Sequence, residues 1–298
     1  MGDKSRIGWT DSTWNPVVGC SRVSEACRYC YAESLSHRFG WTSKPWTGPN
    51  AAVNVQLHPE RLDQPIRWQK PRRIFVNSMS DLFHEEVPDG FIDDVFAVMA
   101  MAARHTYQIL TKRPQRMRNY LRSPETVFRI AAAIDRRDNQ QGYDVLAQDM
   151  REGGAWPLRD VWLGVSVEDQ RRANERIPLL LQTPADVRFL SCEPLLGPID
   201  LTALPYPTPQ GDTVAVNALC RVSAFAPTID WVITGAESGS HARPMDDDWV
   251  RALRDQCQAS GTAFFFKQRV STDGRKDTEP FLDGRQWLEF PEGAMPHA

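Results

Sequence analysis

The chain has 298 residues, 41 % hydrophobic and 24 % charged, with 35 Lys and Arg against 38 Asp and Glu for a formal charge of −3. This composition belongs to a folded chain and not a disordered one, and its near-neutral charge argues against binding nucleic acid by counterion release alone, while leaving room for a local basic groove. No run approaches the roughly 20 apolar residues that cross a bilayer, and the opening MGDKSRIGWTD has no signal-peptide core, so the expectation is a cytoplasmic protein with no membrane partner.

Short β-branched and aromatic runs recur along the chain, most of them followed by a polar turn and a helix-like segment. The first, 13–19 (TWNPVVG), leads into VVGCSRVSEACRYCYAESLSHRF. The second is 73–78 (RIFVNS), followed by a predicted helix over 88–103 with apolar residues at three-to-four spacing after an Asp/Pro start. Then come 106–110 (TYQIL), a polar and charged stretch over 122–160 that reads as an insertion, and 161–165 (VWLGV). After 187–191 (VRFLS) lies a second apparent insertion, 204–228, Pro-rich at its start and placed to form a flap over the site. The run 230–234 (DWVIT) precedes a predicted helix over 246–260, with acidic residues in its first turn and Gly261 after its end; 263–266 (AFFF) closes the series.

Near-continuous apolar runs suit strands buried on both faces of a parallel sheet. Seven of them alternating with helices predict an α/β fold, a partial or near-complete (β/α) barrel, as one domain over 1–298 with insertions near 122–160 and 204–228. A doubly wound sheet is the other candidate, but no G-x-G-x-x-G fingerprint accompanies it.

Six cysteines are present, and three of them, Cys20, Cys27 and Cys30, fall within eleven residues as C-x6-C-x2-C. A chain of this length buries its own core, so a disulfide framework is not expected. Close thiolates in a reducing compartment bind metal or do redox chemistry. Three soft thiolates suit an iron–sulfur cluster. Structural zinc is the alternative, with His37 as a fourth ligand, and three buried cysteines without a ligand are the third.

Active sites of α/β barrels lie at the carboxyl ends of the strands. Those ends carry the Cys20 loop, Asn77-Ser78-Met79-Ser80-Asp81, Thr111-Lys112-Arg113, Ser166-Val167-Glu168-Asp169, Ser191-Cys192-Glu193-Pro194, Gly235-Ala236-Glu237-Ser238-Gly239 and Lys267-Gln268-Arg269. Glu168, Glu193 and Glu237 recur one to three residues beyond a strand, and such clusters suit ribose hydroxyls, an amino-acid carboxylate or a phosphate.

The three cysteines after a first strand, with Tyr29 ahead of Cys30, resemble the cluster loop of radical S-adenosylmethionine (SAM) enzymes, although the first gap is six residues where the usual one is three. Over nearly its whole length the chain also resembles a phage and prophage three-cysteine protein family, on WTDSTWNPVVGC, ILTKRPQRM, LGVSVEDQ, RFLSCEPLLGPI, the segment from ITGAESG to HARP, and FFFKQ. The resemblance implies a radical-SAM-type barrel with a [4Fe–4S] cluster on Cys20, Cys27 and Cys30 and SAM on its open iron. It implies Ser78, Ser80 and Asp81 near the SAM amino group, where the usual Gly-Gly-Glu is missing, Lys112 or Arg113 at its carboxylate, and Glu168 and Glu193 at its ribose, with Glu237 a further cofactor contact. It also implies a DNA substrate, an amino-acid adduct on thymine that is isomerised to protect phage DNA from host restriction, and an electron donor such as flavodoxin or ferredoxin. Lys70, Arg72, Arg73, Lys112, Arg113, Arg116, Arg118 and Arg122 are candidates for a phosphate path, and Trp9, Trp14, Trp41 and Trp46 for stacking on an extruded base. Cys192, at a strand end, is a candidate hydrogen donor to a substrate radical.

Overall fold

A computed structural model describes residues 4–138, 142–208, 210–220, 227–238, 242–270 and 275–292. The apolar runs form one sheet of eight strands: β1 (Ser12–Trp14), β2 (Arg73–Val76), β3 (Thr106–Thr111), β4 (Val161–Ser166), β5 (Arg188–Cys192), β6 (Trp231–Gly235), β7 (Ala263–Val270) and β8 (Lys276–Asp277). The strands lie side by side in chain order, parallel from β1 to β7, with β8 antiparallel on the edge. The order never reverses, as it must in a doubly wound sheet. No pairing joins β1 to β7 or β8 among the described residues, so the sheet is not a closed barrel.

Side chains alternate across each strand, and both faces of this sheet are apolar. On one face Ile74, Val76, Ile109, Leu163, Val165, Leu190, Val232, Phe264 and Phe266 belong to a large cluster shared with the helices. On the other, Phe75, Trp162, Phe189, Trp231, Ile233 and Phe265 pack with Trp9. The Trp9 ring lies 4.7 Å from Phe75 on β2 and 6.2 Å from Trp231 on β6. Four strand spacings in a flat sheet would separate β2 from β6 by about 19 Å. One indole touching both therefore requires the sheet to curl around this aromatic plug.

The longer helices are α1 (Tyr31–Arg38), α2 (Asp89–Met101), α3 (Pro114–Arg122), α4 (Glu125–Arg137), α5 (Asp144–Glu152), α6 (Gln170–Leu181) and α7 (Asp247–Ser260). Helix α7 has the ends its sequence predicts: the Asp246 carboxylate accepts from the Asp248 N–H at 2.9 Å, and Gly261 takes φ 73° just past the last turn. The stretch 122–160 is helical over much of its length, between β3 and β4. Its α4 and α5 bury Ile130, Ala131, Ile134, Ala147 and Met150 in the main cluster. The second apparent insertion is a hairpin of Leu204–Pro207 and Thr213–Val216. Leu204 is fully buried in the helix-side cluster, and no described residue of 204–228 lines the cavity, so the described part is not a flap over the site; 221–226 lie outside the described residues. No described helix is long and apolar enough to cross a membrane.

Candidate functional site

At the carboxyl ends of the strands lies a cavity of about 400 Å³. Its floor is the aromatic plug, through Trp9, Phe75 and Leu110, and its walls carry Cys20, Cys27 and Cys30 on one side and Lys112, Ser166, Ser191, Glu193, Glu237 and Lys267 on the other. Every parallel strand after the first thus contributes a residue from its end, and the segment following β1 contributes the cysteines.

The cysteine loop is shaped by backbone constraints. Gly19 has φ 87°, and a Cβ there would sit 1.9 Å from the Asn54 carbonyl oxygen, so only glycine lets the chain turn into Cys20 at this approach. Further on, Glu33 is held by Arg22 through hydrogen bonds of 2.9 to 3.0 Å and accepts the Trp46 N–H at 2.9 Å, tying α1 to the segment that returns past it. Across the loop Arg243 donates to the Glu25 carbonyl at 3.1 Å and to both oxygens of Glu237, at 2.6 and 2.9 Å, with its guanidinium 5.4 Å from the Tyr29 ring. This one side chain fastens the cysteine loop to the end of β6.

Arg113 Nη1 donates toward Cys20 Sγ at 3.5 Å, and Ser24 Oγ lies 3.9 Å from Cys27 Sγ. Cys30 stands at the N-cap of α1, where its side chain makes no cap hydrogen bond. Burial pushes the Cys20 thiol up to about 12, with the Arg113 guanidinium opposing it, and raises Cys30 against the pull of the Glu33 amide and Lys112. Desolvation disfavours the bare thiolates.

Among the described residues no three His, Cys, Asp or Glu side chains converge so as to hold a single ion. In a four-iron cluster each thiolate binds its own iron, so three sulfurs around one cavity need not converge on a point. Zinc does need convergence, and among the described residues His37 does not converge with the cysteines; its exposed ring has Nε2 3.0 Å from the Lys44 carbonyl oxygen.

Behind the cysteines a buried ionic network sets the geometry. Asp81 accepts from Thr111 Oγ1 at 2.7 Å, from the N–H groups of Phe83 and Lys112 at 3.0 Å, and from Arg113 at 3.3 Å. Arg113 spends its remaining donors on Glu85 at 2.9 Å and on the Ser21 carbonyl and hydroxyl, both at 3.1 Å. At the strand ends Lys112 Nζ donates to Ser166 Oγ at 3.0 Å, and Lys267 pairs with Glu193 at 2.8 Å.

A family model described as "Protein of unknown function (DUF5131)" matches residues 4–291. The chain belongs to the DUF5131 family. No curated protein and no solved structure matches it.

In this DUF5131 chain the cavity gathers most of the residues singled out from the sequence: Cys20, Cys27, Cys30, Ser78, Ser80, Asp81, Lys112, Glu193 and Glu237. Several of them are already engaged. Ser78 and Ser80 donate to Asn15 Oδ1 at 3.2 Å and to the Val17 carbonyl at 2.9 Å, holding the two loops together. Asp81 is saturated by the contacts above, and Arg113 is committed to anchoring, which leaves Lys112 as the better-placed cation for a carboxylate.

Two candidates stand elsewhere. Glu168 does not line the cavity; it is buried against α6, 2.9 Å from Arg176. Cys192 is fully buried in the helix-side cluster, because strand alternation turns it away from its cavity-lining neighbours Ser191 and Glu193. Of the basic candidates outside the cavity, Arg72 and Arg73 sit at the amino end of β2, with Arg73 paired to Asp11 at 3.0 Å, and Arg116 pairs with Asp89 at 2.9 Å. Of the four tryptophans, Trp14 is core with its Nε1 donating to the Arg61 carbonyl, Trp9 and Trp46 are buried in the cavity wall, and Trp41 is exposed. Arg243 and Glu33 escaped the sequence reading. Only the one-turn offset of Glu33 from the last cysteine hinted at it; nothing local marks Arg243.

Proposed function

We propose that this chain is a radical SAM enzyme that holds a [4Fe–4S] cluster on Cys20, Cys27 and Cys30. The observation that carries the reading is the cavity wall itself: three cysteines at the carboxyl end of an unreversed parallel sheet, with the buried Arg113 guanidinium donating toward Cys20 Sγ. The curled, open sheet agrees with the partial (β/α) barrel on which such enzymes are built. When bound, the cluster supplies the electron that cleaves SAM to methionine and a 5′-deoxyadenosyl radical, the hydrogen-abstracting agent of this chemistry.

The chain's own residues position and protect. Three thiolate ligands leave one iron of a four-iron cluster without a protein ligand, the position SAM would take. Lys112 offers its ammonium to the SAM carboxylate and Glu193 an acceptor to its ribose, while Glu237, both of whose oxygens are taken by Arg243, holds the cysteine loop in place. Trp9 Nε1 and Asn77 Nδ2, both buried, have no partner within the described protein although their residues line the cavity; they leave donors for the acceptor atoms of a bound ligand. The plug of Trp9, Phe75, Trp162, Phe189 and Trp231 closes the floor against water, as radical chemistry demands.

The substrate proposed is an amino-acid adduct on thymine in phage DNA, isomerised to shield the DNA from host restriction, with a reduced flavodoxin or ferredoxin as electron donor and the host cytoplasm as the setting. The resemblance to the phage family supports this choice.

Anaerobic purification tests the reading: about four irons per chain and an EPR signal that changes on adding SAM are expected, with cluster content lost in the Cys20→Ala, Cys27→Ala and Cys30→Ala variants. Colourless protein with stoichiometric zinc would sink it. Phage DNA incubated with reduced enzyme and SAM, then digested to nucleosides for mass analysis, should contain the rearranged base; 5′-deoxyadenosine formed only with small metabolites would replace the DNA substrate with a small one.

A further inference from the structure

Beside the cavity, the segment from the end of α1 to Lys44 leaves aromatic surface in water. Phe39 is 57 % and Trp41 36 % exposed, and their ring centroids lie 5.2 Å apart with the planes tilted by 31°. Exposed cations lie on the same segment and on the cysteine loop. Arg38 lies 6.0 Å from the Phe39 ring, Lys44 follows three residues after Trp41, and Arg28 stands on the cysteine loop 5.4 Å from the Tyr29 ring. Of the two acidic residues in 22–44, Glu33 is buried and neutralised by Arg22, which leaves Glu25 as the exposed one. The segment is bracketed by cavity residues, Tyr31 and Ala32 before it and Trp46 after it. The eight residues of α1 span about 12 Å, or three to four nucleotide steps of about 3.4 Å each.

We propose that this surface binds a single-stranded nucleic-acid segment, with bases stacked on the Phe39–Trp41 pair and phosphates on Arg38, Lys44 and Arg28, so that the strand leads to the cavity mouth. The inference deepens the substrate half of the reading above and is independent of its iron chemistry. Base stacking on aromatic faces with cations tracking the backbone is the general solution for single strands. An acidic electron-carrier protein would also seek the cations, but two exposed rings in contact add the faces on which bases stack. The rings and cations together favour the nucleic acid. The surface also supplies locally what the overall charge of −3 does not.

Fluorescence anisotropy with a short labelled oligothymidine at low salt tests this, with labelled polyglutamate as the acidic-polymer control. The wild-type chain should bind the oligonucleotide more tightly than polyglutamate. The Phe39→Ala/Trp41→Ala double variant should weaken oligonucleotide binding about tenfold or more. The Arg38→Gln/Lys44→Gln variant should make log affinity against log salt shallower by about 1.4, two phosphate contacts' worth on a single strand. Affinity unchanged in Phe39→Ala/Trp41→Ala overturns the proposal, as does a wild-type chain that does not bind the strand. Equal binding of polyglutamate, weakened equally by the ring substitutions, reassigns the surface to an acidic protein partner. Circular dichroism and iron content, expected to be unchanged in these surface variants, keep the outcomes apart: a chain that binds DNA but no iron loses the cluster reading and keeps this one.

Discussion

Arg113 has its side chain buried between Cys20, Ser21, Asp81 and Glu85, and it is the residue on which the cysteine wall leans. Burying a guanidinium is tolerable only with its partners in place, and removing one side of a buried pair leaves the other charge uncompensated. Arg113→Gln should therefore cost about 3–5 kcal/mol in chemical denaturation, because Asp81 is buried as well. It should also lower the reduction potential of a reconstituted cluster, since a positive charge is lost beside a ligand sulfur. His84 carries a further signature. It is buried, with its Nδ1 accepting the Glu86 N–H at 3.1 Å and its Nε2 2.8 Å from Ser21 Oγ, so the proton resides on Nε2. Burial, with Arg113 second, depresses this imidazole from its ordinary 6.5 to about 4. The unfolded chain takes up the proton first as pH falls. Stability contributed by neutral His84 is thus complete above about 6.5 and is lost as pH falls toward 4. Denaturant midpoints measured across that window should drop with acid, and His84→Gln should flatten the drop. For Cys192 the expectation is reversed from its sequence-based role: Cys192→Ala should leave products unchanged and cost on the order of 1 kcal/mol, as the loss of a small buried group does.

Strand β4 shows how one element is constrained from both sides. All six of its residues are buried, and Gly164 lies against the Phe189 ring on β5. A Cβ at Gly164 would come within 2.5 Å of that ring, which is itself locked in the aromatic plug. Gly164→Ala should destabilise by about 1–3 kcal/mol, the cost of overpacking a core, and thermal melts will read it. A gain in stability, as expected from replacing glycine in an ordinary strand, would mean that the plug yields. The same logic separates the strands and helices legible in the sequence from the elements that were not. The runs beginning at 73, 106, 161, 187 and 230 lie in strands within one or two residues of the predicted bounds because continuous burial leaves a continuous apolar signature, while the strand expected over 263–266 runs on to Val270. The polar stretch 122–160 concealed α4 and α5, whose apolar stripes are diluted by exposed charged faces and look like loop when composition alone is weighed.

At the scale of the molecule, one side chain bridges the ends of the curled sheet at its floor and another at its rim. Trp9 joins β2 to β6 beneath the cavity, and Arg243 joins the cysteine loop to Glu237 above it. With no pairing between β1 and β7 among the described residues, these contacts take over part of the work that hydrogen bonds do in a closed barrel. Arg243→Ala should leave the fold intact, speed amide exchange in 20–31, and increase cluster loss on exposure to air. Unchanged exchange there would show that the loop is held by the Arg22–Glu33 pair alone.

The amino-acid sequence by itself determined the α/β class, the order of strands and helices, and the grouping of Cys20, Cys27 and Cys30 in one loop, because burial and cysteine spacing are written in local periodicity. Tertiary structure alone decided which neighbours share the cavity. Alternation along β5 turns Ser191 and Glu193 inward and Cys192 outward, and a register of one residue is invisible where both faces are apolar. It also took Glu168 away to Arg176, His37 to Lys44, and the hairpin after β5 to the helix side, through partners distant in the chain or on the far face. Arg243 is the clearest case: its contact with Glu25 spans 218 residues, and only the curl of the sheet brings the two together.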